Sequence, residues 1–386
     1  MPDNINFLDE SNALLDEFSQ IRHTIHRNPE TGNHEFKTAA LVEAFLNDLG
    51  IKTERVTETG IVGTLRFDSP GKTIAFRADM DALPITEKTG CAFSSQNAGL
   101  MHACGHDVHT SALLCLAKLL SLHRDVFCGC VKFFFQPDEE DEGGARRMIN
   151  AGCMKDVSAV YGAHVDPFLP SGTVGVRYGK FYAASNIFNV TVHGKSAHGA
   201  SPEKGRDALL CAAKMVLSLK ELPKSFPEGE ALLSTGTLKS GTARNIIADK
   251  ASFTGIIRTL GNEVRDGMLA AFKKTINDIC AQYGTSAEIY LNSTHNGVVN
   301  TDSETELVQK AAGKAKGITV RVIEKPLMTS EDFGFFIDEA KGSYYHIGAP
   351  SPHPLHSSEF LPPDETIAVT AAVHMAVAYA KLAVSK

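Results

Sequence analysis

Apolar positions along this chain change period several times, and each change predicts an element. Leu14, Leu15, Phe18, Ile21 and Ile25 fall at helical spacing, and Thr38 to Leu49 repeats the pattern before Gly50 supplies a C-terminal stop. Ile61 to Phe67 and Thr73 to Arg77 read as strands, separated by the turn Ser69-Pro70-Gly71. A loop over Met101 to Gly105 precedes a helix from about Asp107 to Leu122, with Leu113, Leu116, Ala117 and Leu120 on one face. Val131 and Phe133-Phe134-Phe135 crowd bulky side chains without alternation, as a strand buried on both faces does. Pro137 stops that strand, and five carboxylates follow it from Asp138 to Glu142.

A helix over about Gly144 to Ala151 and a strand Ala159 to Ala163, ending at His164, continue the alternation. Strands and helices in this order imply a mostly parallel sheet covered by helices on both faces, an α/β fold. Near residue 180 the pattern changes. Ile187 to Val192 is a strand, Arg206 to Leu222 a helix, Ala231 to Leu238 and Ile246 to Arg258 strands, Glu263 to Tyr283 a helix and Ala287 to Leu291 a strand. That order predicts a split βαβ unit, a small α+β ferredoxin-like domain inserted into the larger one. The α/β pattern resumes with helix Glu304 to Ala315, strand Thr319 to Ile323, helix Glu331 to Phe336, strand Tyr344 to Gly348 and helix Thr366 to Val384. The expected domains are therefore 1–180 with 296–386, and an insertion over 181–295.

Bulk composition narrows the function classes. The 386 residues are 43% hydrophobic and 22% charged, ordinary globular values, and the net charge is -7. An acidic chain without a basic run argues against nucleic acid as a partner. No apolar run approaches the roughly 20 residues that span a bilayer, and residues 1–6 lack the basic and apolar regions of a signal peptide. A cytoplasmic protein is expected. Eight cysteines are too sparse for a disulfide framework; Cys115, Cys153, Cys211 and Cys280 read as reduced core residues, and Cys128-Gly129-Cys130 as structural.

Chemistry concentrates at the strand ends. Asp79 and Asp81, Glu139 and Glu140, His164 and His356 each follow a candidate strand, and ligands bind in that crevice of open α/β sheets. His102-Ala103-Cys104-Gly105-His106-Asp107-Val108-His109 adds three imidazoles and a thiol, although Asp107 also suits a helix cap. Thiol, imidazole and carboxylate together favour Zn, Co, Ni or Mn over Mg or Ca. Taken alone, Glu139-Glu140 also fits a solvated acidic loop, and His164 a core histidine. Beside the other donors, one glutamate can bind metal while its neighbour polarises a water. Between His353 and His356, spacing does not choose.

Four segments resemble the amidohydrolase branch of the M20 metallopeptidases. They are Arg77-Ala-Asp-Met-Asp-Ala-Leu-Pro84, Met101-His-Ala-Cys-Gly-His-Asp-Val-His109, Phe135-Gln-Pro-Asp-Glu-Glu140 and Thr329-Ser-Glu-Asp-Phe333. That branch includes hippurate hydrolases, N-acyl-amino-acid deacylases and plant indole-acetyl-amino-acid hydrolases. The resemblance covers essentially the whole chain and places the inserted domain where the family has its lid. It implies a two-metal centre held by Cys104, His106, Glu140, His164 and His356, with Glu139 as general acid/base. Asp81 matches the carboxylate that orients a metal-ligating histidine, and Asp79 stands where other M20 branches carry a metal-binding histidine. In the insertion, His198 matches a lid histidine that stabilises the oxyanion, in dimeric relatives at the partner's active site. Asn245 and Arg258 match positions that contact the substrate amide and carboxylate. Asp138 replaces a common alanine and adds charge beside Glu139, a direction that would raise that residue's pKa. The implied activity is metal-dependent amide hydrolysis of small N-acyl amino acids by a homodimer or higher oligomer built through the lid. A dipeptidase or aminopeptidase on the same scaffold is the alternative. A non-catalytic metal-dependent binding protein is a third reading, and the retained Glu139 argues against it.

Overall fold

The computed structural model describes residues 6–141 and 143–384. It divides into two units: Met1–Gly179, Asn300–Lys325 and Asp332–Lys386 form the first, and Lys180–Val299 with Pro326–Glu331 the second. The first unit begins with helices α1 (Phe7–Ala13), α2 (Leu15–Arg27) and α3 (Phe36–Asp48). Strands β1 (Lys52–Arg55), β2 (Ile61–Arg66) and β3 (Ser69–Asp79), helix α4 (His106–Leu122), strand β4 (Cys128–Gln136), helix α5 (Gly144–Asn150) and strands β5 (Val157–Asp166) and β6 (Thr173–Val176) follow. The chain leaves through β7 (Gly179–Lys180) into the second unit. That unit holds β8 (Ala184–His193), β9 (Ala197–His198), α6 (Ala208–Glu221), β10 (Ala231–Ser240), β11 (Ile246–Ile247), β12 (Lys250–Thr259), α7 (Asn262–Tyr283) and β13 (Ser286–His295). It returns through β14 (Val299–Asn300) to α8 (Asp302–Lys314), β15 (Thr319–Val322), α9 (Gly334–Glu339), β16 (Lys341–Gly348) and α10 (Glu365–Leu382).

Eight strands form the first unit's sheet in the order β1-β2-β4-β3-β5-β16-β6-β15. The central pairs β4–β3, β3–β5 and β5–β16 are parallel, while β1–β2, β2–β4 and β16–β6 are antiparallel. Phe133 and Phe135 enter the main core with residues of α4 and α10, while Phe134 stacks on Phe336 of α9. Both faces of β4 are therefore buried, the reason its sequence lacks alternation. Ser69-Pro70-Gly71 is not a turn between neighbours but the start of β3. There the register against β4 slips between Ser69 and Thr73, an irregularity that accommodates Pro70 without a ladder N–H. β5 runs past His164 to Asp166, so His164 lies inside the strand rather than after it. α9 begins at Gly334, leaving Glu331 and Asp332 ahead of it.

In the second unit, four antiparallel strands take the order β10-β12-β8-β13, the ferredoxin-like arrangement of a split βαβ unit. Phe188, Val190 and Val192 alternate with more polar residues and pack with Phe253, Met215 and Phe272 of β12, α6 and α7. The single strand expected over Ile246 to Arg258 is two: Ile246 and Ile247 pair with β9, and β12 starts at Lys250. Among the described residues no helix is long and apolar enough to cross a membrane. All eight cysteines are free.

Candidate metal centre

Cys104 precedes α4 in a turn that only glycine allows. Gly105 has φ +86°, and a Cβ there would lie 2.5 Å from Val165 Cγ2. The next residue, His106, opens α4 and is buried. Its Nδ1 donates to Asp81, 2.8 Å from the carbonyl oxygen and 3.1 Å from Oδ1. Its Nε2 has no hydrogen-bond partner and faces Asp79 Oδ2 at 3.8 Å and Glu140 Oε1 at 4.0 Å. His164 is fixed the same way. Its Nδ1 donates to the Val165 carbonyl at 2.8 Å, leaving Nε2 3.3 Å from Cys104 Sγ.

His356 arrives from the loop after β16 with φ +64° and its N–H on the Ala103 carbonyl at 2.8 Å. Its Nε2 lies 3.3 Å from Cys104 Sγ and 3.1 Å from Glu140 Oε1. His353, the other candidate in that loop, instead faces Glu359 at 3.8 Å. Two donor trios result, Cys104–His106–His164 and Cys104–Glu140–His356, each with all donor atoms within 4.8 Å of one another. Cys104 belongs to both. A further trio, His106–Glu139–Glu140, brings in Glu139, which is only 6% exposed.

The electrostatics of this set suit a cation. Burial alone would lower the His106 pKa, yet Asp79, Asp81 and Glu140 hold it up at about 10. Burial, with Glu140, Glu139 and Asp79 adding to it, pushes the Cys104 thiol well above its ordinary value. Burial and His109 keep His164 neutral. A buried thiol among carboxylates, two imidazoles turned by their Nδ1 bonds, and an orphaned Nε2 fit divalent metal, which such N, S and O donors bind. Residues that would hold it are Cys104, His106, Glu140, His164 and His356.

The other expected residues fall in distinct places. Asp79 is fully buried and committed: Arg77 Nη1 donates to Oδ2 at 2.6 Å and His109 Nδ1 to Oδ1 at 2.6 Å. Asp138 is not solvated. It is 1% exposed, in the left-handed region at φ +54°, and paired with Arg147 Nη2 at 2.5 Å and Asn33 Nδ2 at 2.9 Å, while burial still raises its pKa against Arg147. Asp141 is exposed, and Glu142 lies outside the described residues. In the second unit His198 is exposed on β9; its Nδ1 accepts the Ala200 N–H at 3.1 Å, which leaves the proton on Nε2. Asn245 is exposed beside it, its carbonyl accepting the Gly199 N–H at 2.8 Å. Arg258 lies in β12 opposite Ser185 of β8.

Sequence reasoning missed Glu35, Gln136 and Asp332, buried polar residues that frame the acidic turn. No periodicity distinguishes such positions, although Gln136 and Asp332 lie inside quoted motifs. A separate trio, His26, Glu87 and Cys91, is closed by its own bonds: His26 Nδ1 meets Asp107 Oδ2 at 2.9 Å, and Glu87 accepts the Ser95 N–H at 2.6 Å. Near the acidic turn, a cavity of about 620 Å³ is lined by residues including Thr31, Asp81, Pro84, Glu140 and Asp141.

Known proteins resemble this chain over most of its length. Residues 75–383 match the model of peptidase family M20/M25/M40. Thermostable carboxypeptidase 2 of Saccharolobus solfataricus is 36% identical over 93% of this chain and 94% of its own length. Hippurate hydrolase of Campylobacter jejuni is 35% identical over 98% of this chain and 99% of its own. The crystal structure of Bacillus subtilis YXEP, described as a dinuclear metal binding peptidase of the M20 family, superposes with a TM-score of 0.85. It is 29% identical and covers 95% of this chain and 98% of its own. The chain belongs to peptidase family M20/M25/M40 and is a metal-dependent amidohydrolase.

Proposed function

We propose that this amidohydrolase cleaves the amide bond of small N-acyl amino acids, acetyl or aryl-acyl conjugates that keep a free carboxylate. The observation that carries this reading is Arg258. Its Nη1 is buried without a hydrogen-bond partner, and burial alone lowers its pKa, with no carboxylate beside it among the described residues. A guanidinium left open in this way suits a substrate carboxylate, which it can bind through two parallel bonds. Hippurate is N-benzoylglycine, and a carboxypeptidase also acts beside a free carboxylate; both names describe substrates of this chemical kind.

Two divalent ions, from among Zn, Mn, Co and Ni, would be held by the two trios that share Cys104. When bound, they supply Lewis-acid polarisation of the carbonyl and lower the pKa of water. Glu139 takes the proton of the attacking water and returns it to the leaving amine. His198, on the lid of its own or a partner subunit, donates its Nε2–H to the carbonyl oxygen as negative charge develops there. Asn245 contacts the amide. The second unit would act as this lid and as the surface of a homodimer, since β10 and β13 leave the edges of its sheet open. Free thiols throughout agree with a cytoplasmic enzyme.

The test is a metal-supplemented panel of N-acetyl and N-benzoyl amino acids, their carboxamides and free dipeptides. N-acyl amino acids should turn over at least tenfold faster than the carboxamides. Equal rates would remove the role of Arg258. Preference for free dipeptides would favour the dipeptidase or aminopeptidase alternative, whose substrates need a subsite for an α-amine.

A further inference from the structure

Between β4 and α5 a turn over Pro137 to Asp141 carries Glu139 and Glu140. The start of α5 closes on it: the Gly144 N–H donates to the Asp138 carbonyl at 2.8 Å, and a Cβ on Gly144 would lie 1.7 Å from the Pro137 carbonyl oxygen. A turn this tight still needs its orientation fixed from outside, because Glu139 and Glu140 reach the centre through side chains with several free torsions. Two buried carboxylates outside the metal set do this.

Asp332, fully buried, spans the turn. It accepts Gln136 Nε2 at 2.9 and 2.8 Å, on the residue just before the turn, and the Ala145 N–H at 3.0 Å, at the start of α5. Arg77 locks that carboxylate through Nη2 at 3.0 Å, while its Nε donates to Gln136 Oε1 at 2.8 Å and its Nη1 to Asp79. Glu35, also fully buried, holds the near side. Its Oε1 accepts the Asp138 N–H at 2.9 Å and the Asn33 N–H at 3.1 Å, and Oε2 accepts Thr59 Oγ1 at 2.7 Å. Asn33 adds a bond from Nδ2 to Asp138 Oδ2 at 2.9 Å. Asp138 is thereby kept in its left-handed conformation, one residue before Glu139.

We infer that Glu35 and Asp332 are positioning residues for amide hydrolysis, gripping the near side and the two flanks of the turn so that Glu139 keeps its aim beside His106 and Glu140. The inference rests on Glu139 being the general acid/base. Glu35 acts through the backbone of the turn, and Asp332 through its flanks at Gln136 and Ala145. A misplaced base loses turnover more than affinity, because small displacements matter most for the reacting groups.

The experiment measures kcat, KM and bound metal for Glu35→Ala, Glu35→Gln, Asp332→Asn and Asn33→Gly, with Glu139→Gln alongside. Asn33→Gly keeps the left-handed backbone of residue 33, φ +64°, and removes only the side-chain bond, so it informs even if Glu35→Ala does not fold. Expected for Glu35→Ala and Asp332→Asn is a fall of at least tenfold in kcat per metal-loaded subunit, with KM within threefold. Asn33→Gly should give a smaller fall of the same kind. Glu35→Gln keeps an acceptor oxygen for both N–H groups and should restore kcat to within threefold of wild type. Normal kcat per metal-loaded subunit in Glu35→Ala, Asp332→Asn and Asn33→Gly, with only a lowered Tm, would overturn the positioning role. Equal loss in Glu35→Gln and Glu35→Ala would overturn it for Glu35. If Glu139→Gln itself kept its turnover, the reading of Glu139 would fail instead, and the parallel measurement separates the two.

Discussion

Asp81 accepts the backbone N–H of Glu140 through Oδ2 at 3.0 Å, while its Oδ1 stands 3.1 Å from His106 Nδ1. One carboxylate thus turns a histidine of the first trio and anchors the glutamate of the second. Asp81→Ala should weaken metal binding by about 10–100-fold, the usual effect of losing a partner behind a ligand. Competition against a chelator of known affinity measures it, and a change below about threefold would leave Asp81 without this role.

Cys104 is common to both donor trios, whereas His164 belongs to one of them. Elemental analysis should find Cys104→Ser depleted of both ions and His164→Ala depleted of about one. Identical stoichiometry in the two variants would contradict a shared thiolate.

Glu139→Gln keeps the size of the side chain and removes its basicity. Metal content should stay at the wild-type level while kcat falls by roughly 10²–10⁴-fold, the range for a general acid/base. A variant with wild-type turnover would remove Glu139 from proton transfer.

Glu35 also makes stability depend on pH. Burial, with Asp81 adding to it, pushes its carboxyl from 4.5 to about 7 against the lowering effect of its hydrogen bonds. The folded state therefore holds the proton more tightly. The associated stability is fully present below pH 4.5 and is lost as pH rises to about 7. A shift of this size corresponds to about 3 kcal/mol, an order-of-magnitude figure. Denaturant unfolding of wild type and Glu35→Gln between pH 4.5 and 8 should diverge by about that amount, the variant losing less. Parallel curves would mean that Glu35 titrates normally.

Arg258→Ala should raise KM for N-acyl amino acids by about 10–100-fold, matching the roughly 1.5–3 kcal/mol of a hydrogen bond to a charged group. Carboxamide substrates should be nearly unaffected. A uniform effect on both classes would point to a structural role.

Much of this molecule follows from order along the chain. Apolar periods predict the α/β alternation and the inserted split βαβ unit, because burial on one face or two leaves a period in the sequence. Donor residues too are readable, since thiol, imidazole and carboxylate in close succession have few other uses. Tertiary structure decided what spacing leaves open. His356 rather than His353 meets Cys104, because the Ala103 carbonyl captures its backbone. Asp79 turns to Arg77 and His109, and Asp138 is a buried, paired anchor rather than a loose charge. Glu35 and Asp332 approach the acidic turn from distant segments, 103 residues before Asp138 and 196 after Gln136. Hydrogen bonds across such separations depend on strand order and loop path, not on any local pattern, so they exist only once the sheet has formed.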